Sequence, residues 1–288
     1  MLLAMIRSVL LLVVLGSTGN AYNILIFHPT PSLSHQLPVM ALTEALIEKG
    51  HQLFVISPNA VPRLEKSYTY VDVSFAYKYF SDDGKETDSA YLQVQFSKWD
   101  ALKSEPAFAA IPGKLLNSSA FSQFHKRVKD ESIKFDVVLT ETFYIPFGCA
   151  MSRLLNEHSP PLISVSSMVM DFFGEDYLGS IGHRSFAPAF MDSYTDKMSI
   201  WQRIDSWISS AFYIKSKMEA GRIKAAENFF REAYGPESVS LLDGCASNLS
   251  LSIVASNFLY YYPRLLGPNV IEVGPLHLKN KTDKLSQV

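Results

Sequence analysis

Residues 23–36 read NILIFHPTPSLSHQ, and this stretch decides the fold of the chain that follows it. Residues 23–27 form a short, almost continuously apolar run, which is typical of a strand covered on both faces in a parallel sheet. Pro29 and Pro31 then end the strand, because proline interrupts backbone pairing. The stretch therefore predicts a buried strand, a turn and a following helix that begins near His35.

The helix after this turn is predicted from its apolar spacing and its ends. Pro38 suits a first helical turn, and Gly50 lies where a helix ends with a positive φ. Apolar residues recur between them at helical spacing: Val39, Leu42 and Leu46. We expect a βα unit with His35 at the carboxyl edge of its strand.

His35 is the first candidate for chemistry. Ligands of open α/β sheets bind at the carboxyl ends of the strands, and the unpaired N–H groups of a helix start disfavour a protonated imidazole. A neutral His35 can accept a proton, so we expect a catalytic base. A single histidine at an element boundary is often a helix cap or a surface residue instead, and this alternative stays open.

Glu141 is the second candidate, because it follows a predicted strand at residues 135–139 and falls on the same sheet edge as His35. A carboxylate that accepts a hydrogen bond from one imidazole nitrogen fixes the tautomer and stabilises the imidazolium that forms. We expect Glu141 to orient His35. The alternative is that Glu141 only caps the helix after it.

The first residues predict a secretory signal peptide over residues 1–21. Arg7 supplies a positive charge, residues 9–15 are apolar, and Gly19 and Ala21 are the small residues that a signal peptidase reads. The apolar run is short for a bilayer, which needs about 20 residues. We expect a protein of the endoplasmic reticulum lumen or a secreted one.

Three glycosylation sequons fit this compartment, at Asn117, Asn248 and Asn280. Cys149 and Cys245 are the two cysteines of the chain, so neither a disulfide-rich miniprotein nor a zinc-type cluster is expected. Two free thiols and one disulfide bridge both stay open. We predict no metal site.

Composition predicts a folded chain without a nucleic-acid partner. The 288 residues are 48% hydrophobic and carry a formal net charge of −2 with acids and bases interspersed. There is no basic patch for nucleic acid, no polybasic arm for anionic lipid, and no apolar run of membrane-spanning length after the signal.

Strands and helices alternate along the chain, which predicts an α/β fold with a Rossmann-like, doubly wound parallel sheet. The expected strands after the first cover residues 52–57, 135–139, 162–165 and 249–256. The expected helices cover residues 91–102, 120–129, 146–155 and 201–230. Residues 65–131 are expected to be mostly irregular and to line a binding site or cover a sheet edge.

Nucleotide and serine-hydrolase motifs are missing from this sheet. No G-x-G-x-x-G, no G-x-x-x-x-G-K-[ST] and no G-x-S-x-G occurs, and the second strand ends in Ser57 rather than in an acidic residue for a ribose. The sheet is therefore expected to be Rossmann-like without a turn that cradles phosphates.

Five ordered segments resemble the amino-terminal half of the UDP-glycosyltransferase family, and the insect members most of all. They read FHPTPSLSHQ, TEALIEKGHQLFVISP, FDVVLTETF, SYTDKMSIWQRI and SNFLYYYPRLLGPNVIEVGPLHL, within residues 23–278. The resemblance implies the acceptor-binding domain of a GT-B fold over residues 22–278, with an interdomain linker beginning at 279–288. The catalytic histidine of the family matches His35, and its partner acid, often an aspartate, falls on Glu141.

The resemblance also implies the reaction. A hexose, glucose rather than glucuronate, would pass from a UDP-sugar co-substrate to the hydroxyl of a small lipophilic acceptor, with inversion and without a further cofactor. The motifs that bind the UDP-sugar belong to a carboxyl-terminal domain and do not occur here, so we expect the chain to be inactive alone. A lumenal ligand-binding or modulatory module, which pairs with itself or with full-length relatives, and a fragment without a role are the alternatives.

Aromatic residues are the candidates for the acceptor pocket, although aromatic clusters are more often plain core. The three preferred positions are Phe80, Phe172 and Phe173. Further candidates are Phe75, Tyr77, Tyr79 and Tyr177.

Overall fold

The computed structural model describes residues 21–79, 97–156, 158–168, 173–180, 187–189, 192–257, 259 and 261–278. The strands are β1 Asn23–Phe27, β2 Gln52–Ser57, β3 Thr69–Asp72, β4 Val137–Glu141, β5 Leu162–Ser166, β6 Leu249–Val254 and β7 Val270–Glu272. The α-helices are α1 Leu33–Glu48, α2 Lys98–Leu116, α3 Ser119–Asp130, α4 Ile145–Leu155, α5 Gly174–Tyr177, α6 Ile200–Asp205 and α7 Lys215–Tyr234. A π-helix covers Ser206–Ile214, and 3-10 helices cover Ser74–Tyr79, Thr142–Tyr144 and Pro236–Leu242.

The strands form one parallel sheet in the order β3-β2-β1-β4-β5-β6-β7. This order runs outward in both directions from β1 and β4, so the predicted Rossmann-like, doubly wound α/β fold is confirmed. Strands are added in one direction from β1 to β3 and in the opposite direction from β4 to β7, and in such sheets ligands bind in the crevice between the two central strands. The fold thus places a crevice beside the carboxyl ends of β1 and β4.

The sheet is covered on both faces, as the continuous apolar sequence of β1 predicts. Ile24 and Ile26 pack with α1 in one core cluster, and Leu25 and Phe27 pack in a larger cluster on the other face. Full burial of each such side chain contributes about 1.5–3 kcal/mol to folding. β1 is therefore anchored from both sides, which holds the turn after it in place.

Helix α1 begins earlier than the sequence predicted. It starts at Leu33, so Pro38 lies inside the helix and the expectation of Pro38 in its first turn was wrong. Pro38 removes one backbone donor, and its burial beside Val39 offsets part of that loss. The end of the helix is as predicted, because Gly50 has a φ of 84° and its N–H donates to the Ile47 carbonyl.

The segment 65–131 is more regular than expected. Its described residues contain β3, α2 and α3, so the prediction of a mostly irregular segment was wrong, while the expected helix at residues 120–129 is confirmed by α3. Pro106 and Pro112 lie within α2 and obscure its pattern. The helix starts with a capping box between Ser97 and Asp100, which satisfies its first N–H groups. The edge strand β7 was also missed, because it is only three residues long.

A disulfide joins Cys149 in α4 to Cys245 in the turn before β6, with 5.8 Å between their Cα atoms. The structure thus selects the bridge over the free thiols that the sequence left open. The disulfide links α4 to the segment that leads into β6. Within the described residues, every helix is too short or too polar to cross a bilayer.

Candidate active site

The crevice between β1 and β4 brings the two predicted residues together. Phe27 of β1 pairs in register with Thr140 of β4, so the chain that leaves β1 passes the last residue of β4, Glu141. His35 lies in the first turn of α1, and its Nδ1 is 3.1 Å from Glu141 Oε1. The two residues are 106 positions apart in the sequence, and the parallel pairing of β1 with β4 brings them together.

Glu141 is held as a buried carboxylate. It is 1% exposed, and it accepts hydrogen bonds from the Thr30 hydroxyl at 2.7 Å and the Thr30 N–H at 3.1 Å. Burial raises the pKa of Glu141, but the nearby His28 and His35 rings and the bonds from His35 and Thr30 outweigh it and lower the pKa to about 2. Glu141 is therefore ionised at neutral pH.

The side chain of Glu141 makes no capping bond to the 3-10 helix that follows it. The alternative that Glu141 only caps the next helix was therefore wrong, because its carboxylate turns to Thr30 and His35 instead.

The ionised carboxylate decides the tautomer of His35. A carboxylate only accepts hydrogen bonds, so His35 Nδ1 carries the proton that it donates to Glu141. Nε2 of His35 then keeps a free lone pair. The ring is 22% exposed and lines a cavity, so this arrangement can receive a proton from a bound hydroxyl.

A second histidine, His28, is buried in the turn after β1. His28 is 1% exposed, and burial is the main cause that lowers its pKa, although Glu141 opposes this shift. Gln36 Nε2 is 3.0 Å from His28 Nδ1 and 2.7 Å from the Thr30 carbonyl oxygen. Gln36 thus joins α1 to the turn and keeps Thr30 directed at Glu141.

The cavity beside His35 has a volume of about 190 Å³. Most of its lining surface is apolar, and the apolar lining residues are Ala101, Phe108, Phe143, Met168, Phe173, Ala189, Ile214 and Met218. The polar lining residues are Thr30, His35, Lys98, Ser104, Glu105, Tyr144, Ser210, Lys215 and Arg222. An apolar space with a few polar groups is typical of sites for small lipophilic molecules.

Among the aromatic candidates, Phe173 lines the cavity. Phe80 and Phe172 lie outside the described residues. The other four candidates, Phe75, Tyr77, Tyr79 and Tyr177, are not among the lining residues of this cavity. Tyr177 instead lines a smaller pocket that shares Phe143 and Phe173 with it. Phe75 lies in the 3-10 helix after the edge strand β3 and packs against the hydrophobic core.

Sequence reasoning missed several lining residues. Phe143 and Tyr144 directly follow Glu141, so the rule that singled out Glu141 also applies to them. Thr30 lies in the turn after β1, and its position beside the strand end was a comparable signal. No local pattern marks Glu105 or Arg222, because these residues reach the cavity from α2 and α7.

The predicted glycosylation sites differ in their surroundings. Asn117 is exposed after the end of α2. Asn248 is half-buried, and its Nδ2 is 3.4 Å from the Pro160 carbonyl oxygen. Asn280 lies outside the described residues. Of the described residues, no three histidine, cysteine or acidic side chains form a group that could hold a metal ion.

Residues 24–288 match the model of the family described as UDP-glucoronosyl and UDP-glucosyl transferase. The UDP-glycosyltransferase UGT4 of Dactylopius coccus is 23% identical over 264 residues, which cover 90% of this chain and 49% of the relative. The UDP-glucuronosyltransferase 2B7 of Homo sapiens is 25% identical over 293 residues, which cover 94% of this chain and 52% of the relative. The chain spans about half the length of the curated relatives it matches.

Solved structures with some likeness include a UDP-L-rhamnose complex of Arabidopsis thaliana UGT89C1, at 12% identity and a TM-score of 0.40, covering 91% of this chain and 51% of that one. The Streptomyces glycosyltransferase SsfS6 is 13% identical with a TM-score of 0.38, and 82% of this chain and 51% of that one are covered.

Proposed function

Because the chain belongs to the UDP-glucoronosyl and UDP-glucosyl transferase family, we propose that it forms the acceptor-binding part of a UDP-glycosyltransferase. In this proposal the cavity holds a small lipophilic hydroxyl compound, and a hexose is transferred to it from a UDP-sugar. The observation that carries the proposal is the His35–Glu141 hydrogen bond of 3.1 Å at the wall of an apolar cavity.

The chemistry follows from the two side chains. The acceptor hydroxyl gives its proton to His35 Nε2 while its oxygen forms a bond to the anomeric carbon of the sugar. The bond from that carbon to the diphosphate breaks, and UDP leaves with the electron pair. Glu141 stabilises the imidazolium that forms. A direct displacement with one base and without an enzyme nucleophile inverts the anomeric configuration.

The UDP-sugar is proposed to bind to a carboxyl-terminal domain of the family rather than to the turn after β1. A diphosphate needs free N–H groups at such a turn. Here the N–H of Thr30 already donates to Glu141, and the negative charge of this buried carboxylate disfavours an anion beside it.

A lumenal location is part of the proposal. The signal-peptide pattern over residues 1–21 and the sequons at Asn117, Asn248 and Asn280 support it. The Cys149–Cys245 bridge is a further support, because disulfides persist in oxidising compartments such as the endoplasmic reticulum.

The test of this proposal is His35→Ala in the chain joined to a donor domain of the family. Loss of a general base commonly lowers the rate about 10²- to 10⁴-fold, and transfer to a phenol should fall by this factor while thermal unfolding is unchanged. His158→Ala, at an exposed histidine, is the matched control and should keep full activity. Near-normal turnover of folded His35→Ala would contradict the role of His35.

A second candidate function is a ligand-binding or modulatory module that pairs with itself or with full-length relatives. The observation in its favour is an exposed apolar stripe along the helical run 200–214, where Trp201 is 77% exposed. The stripe consists of Ile200, Trp201, Ile204, Trp207, Ile208 and Phe212. Such patches often mark interaction surfaces. Sedimentation of the chain over a range of concentrations separates the candidates, because a mass that stays monomeric argues against pairing.

A further inference from the structure

Arg222 lies on the cavity wall in α7 and is 5% exposed. Its Nε and Nη2 donate to the two carboxylate oxygens of Glu105, at 2.5 and 2.8 Å. The guanidinium plane is covered by aromatic rings, since its central carbon is 4.7 Å from the ring centroids of both Phe143 and Phe173. Pairing along one edge and stacking on the faces hold the group in a single orientation.

The remaining nitrogen of this guanidinium, Nη1, is buried and has no hydrogen-bond partner among the described residues. Arginine stays protonated in proteins, so Nη1 always carries two N–H donors. A buried donor without a partner is costly, and such groups are uncommon in folded proteins. Nη1 is enclosed by its neighbours, so the arrangement is explained if a ligand that enters the cavity shifts the side chains around Nη1 and supplies the missing oxygen.

We propose that Arg222 Nη1 is a recognition site for a neutral oxygen, such as a carbonyl, on the acceptor molecule. This inference rests on the proposed function and narrows its substrate class. The compounds that fit are lipophilic hydroxyl compounds with a second oxygen that accepts a hydrogen bond and carries no charge.

The charges around the cavity favour a neutral group over a carboxylate. Glu105 already neutralises Arg222, and a second carboxylate would lie close to the first. The other two cationic lining residues are also paired, Lys98 with Asp192 and Asp205, and Lys215 with Asp176. Among the described residues, the cavity therefore offers Arg222 as a strong hydrogen-bond donor, while a carboxylate balances the positive charge of each lysine and arginine that lines it.

Phe143 lies between His35 and Arg222, so its ring determines how such a ligand is oriented. Its ring centroid is 6.2 Å from that of His35 and 4.7 Å from the Arg222 guanidinium carbon. A flat aromatic ring that lies along Phe143 would direct a hydroxyl to His35 at one end and an oxygen to Arg222 at the other. A phenol with a carbonyl on the opposite side of its ring has this shape.

The test uses two probes of the same shape class: 4-hydroxybenzophenone, which has a carbonyl, and 4-benzylphenol, which has a methylene instead. The carbonyl also makes the phenol more acidic, so the Arg222 variants below separate this effect from the hydrogen bond to Arg222. Affinity of the chain for each is measured by calorimetric titration. A hydrogen bond from a charged donor is expected to favour the ketone about tenfold or more. The preference should disappear in Arg222→Lys, which keeps a cation for Glu105 but loses the fixed fork of donors.

Two further variants keep the test decisive. Arg203→Lys repeats the same substitution at an exposed arginine outside the cavity lining and should keep the preference. The pair Glu105→Leu with Arg222→Met replaces the buried ions by apolar side chains, a change that folded proteins often tolerate. It should bind both probes alike even if Arg222→Lys does not fold.

The outcomes separate the two proposals. Equal affinity of the unchanged chain for both probes, or a preference that survives in the folded Arg222 variants, overturns the role of Arg222 and leaves the acceptor cavity standing. Binding of neither probe overturns the acceptor cavity itself, and the inference with it.

Discussion

Glu141 receives hydrogen bonds from the Thr30 hydroxyl, the Thr30 N–H and the His35 ring. These bonds keep a buried carboxylate charged and direct it at one nitrogen of His35. The chemical role that we propose for His35 therefore depends on the negative charge of the buried Glu141 carboxylate. A substitution of Glu141 can remove this charge and keep the shape of the side chain.

Glu141→Gln tests this dependence, because it keeps the size of the side chain and removes its charge. Without the charge the imidazolium is less stable and the tautomer of His35 is no longer enforced, so we expect turnover of the chain joined to a donor domain to fall about 10²- to 10⁴-fold. The affinity for the acceptor should change little, so kcat rather than KM carries the effect. Unchanged turnover with an unchanged pH profile would remove Glu141 from the mechanism.

Acid should destabilise the fold in two steps. The pKa of His28 is lowered from its ordinary value of 6.5. Below about pH 6.5 the unfolded chain therefore binds a proton that the folded chain does not bind, and the free energy of unfolding decreases. Glu141 has its pKa lowered from 4.5 to about 2, so its contribution is complete above about pH 4.5 and is lost as the pH falls towards 2. Urea unfolding at a series of pH values measures both steps.

His28→Gln should reduce the upper step, because glutamine does not titrate, while His125, whose pKa is also lowered by burial, retains its share of the step. The free energy of unfolding of this variant would then change less between pH 7 and pH 5 than that of the unchanged chain. His158→Gln, at an exposed position, should retain the step. Equal pH dependence in all three proteins would contradict a neutral, buried His28.

Helix α4 approaches β4 so closely that its contact depends on Gly148. A Cβ at this position would overlap the side chain of Thr140, and Thr140 directly precedes Glu141 in β4. The packing of α4 thus determines the position of Glu141, and a small change in α4 should displace Glu141.

Gly148→Ala should lower the free energy of unfolding by about 1–3 kcal/mol, as overpacking of a core commonly does. The shift of Thr140 should also lower turnover. Gly221→Ala in α7 is a matched control, since its Cβ would lie at an ordinary 3.9 Å from Glu105 Cγ. Alanine is favoured over glycine in helices by about 1 kcal/mol, so this variant should be as stable as the unchanged chain or more so. Equal stability of both variants would show that α4 can move away from β4 freely.

At the scale of the whole molecule, our proposal places the acceptor in the cavity beside His35 and the diphosphate outside the turn after β1. The turn between β1 and α1 contains prolines, Thr30 and serine rather than glycines, and its Thr30 N–H is bound to Glu141. A sheet of Rossmann-like order therefore has its crevice occupied by a carboxylate and a histidine, where dinucleotide-binding relatives of this architecture hold phosphate.

Titration calorimetry of the chain with UDP and with UDP-glucose checks this separation. We expect no saturable binding of either at micromolar concentrations, because the Thr30 N–H of the turn is already bound to Glu141 and the negative charge of this carboxylate disfavours an anion beside it. 4-Hydroxybenzophenone serves as the positive control, since the acceptor cavity should bind it. Saturable micromolar binding of UDP would place the donor site within this chain.

Local patterns in the chain were sufficient for five of the seven strands and for part of the site. The apolar run of β1 and the prolines after it predicted a buried strand and a turn, since burial on both faces requires continuous apolar residues. Prolines mark the ends of β1 and β2 in the sequence, the end of β4 was expected within two residues of its observed position, and parallel strands place their carboxyl ends on one edge. His35 and Glu141 could therefore be brought together before any distance was known.

Contacts between distant segments determined the remainder. The cavity walls come from helices far apart in the chain, as the 117-residue separation of Glu105 and Arg222 shows, and no periodicity records which helix faces which. The Cys149–Cys245 bridge and the overlap of Gly148 with Thr140 likewise depend on how α4 packs. Periodicity reports whether a side chain is buried, but the identity of its partner is decided by packing across the whole molecule.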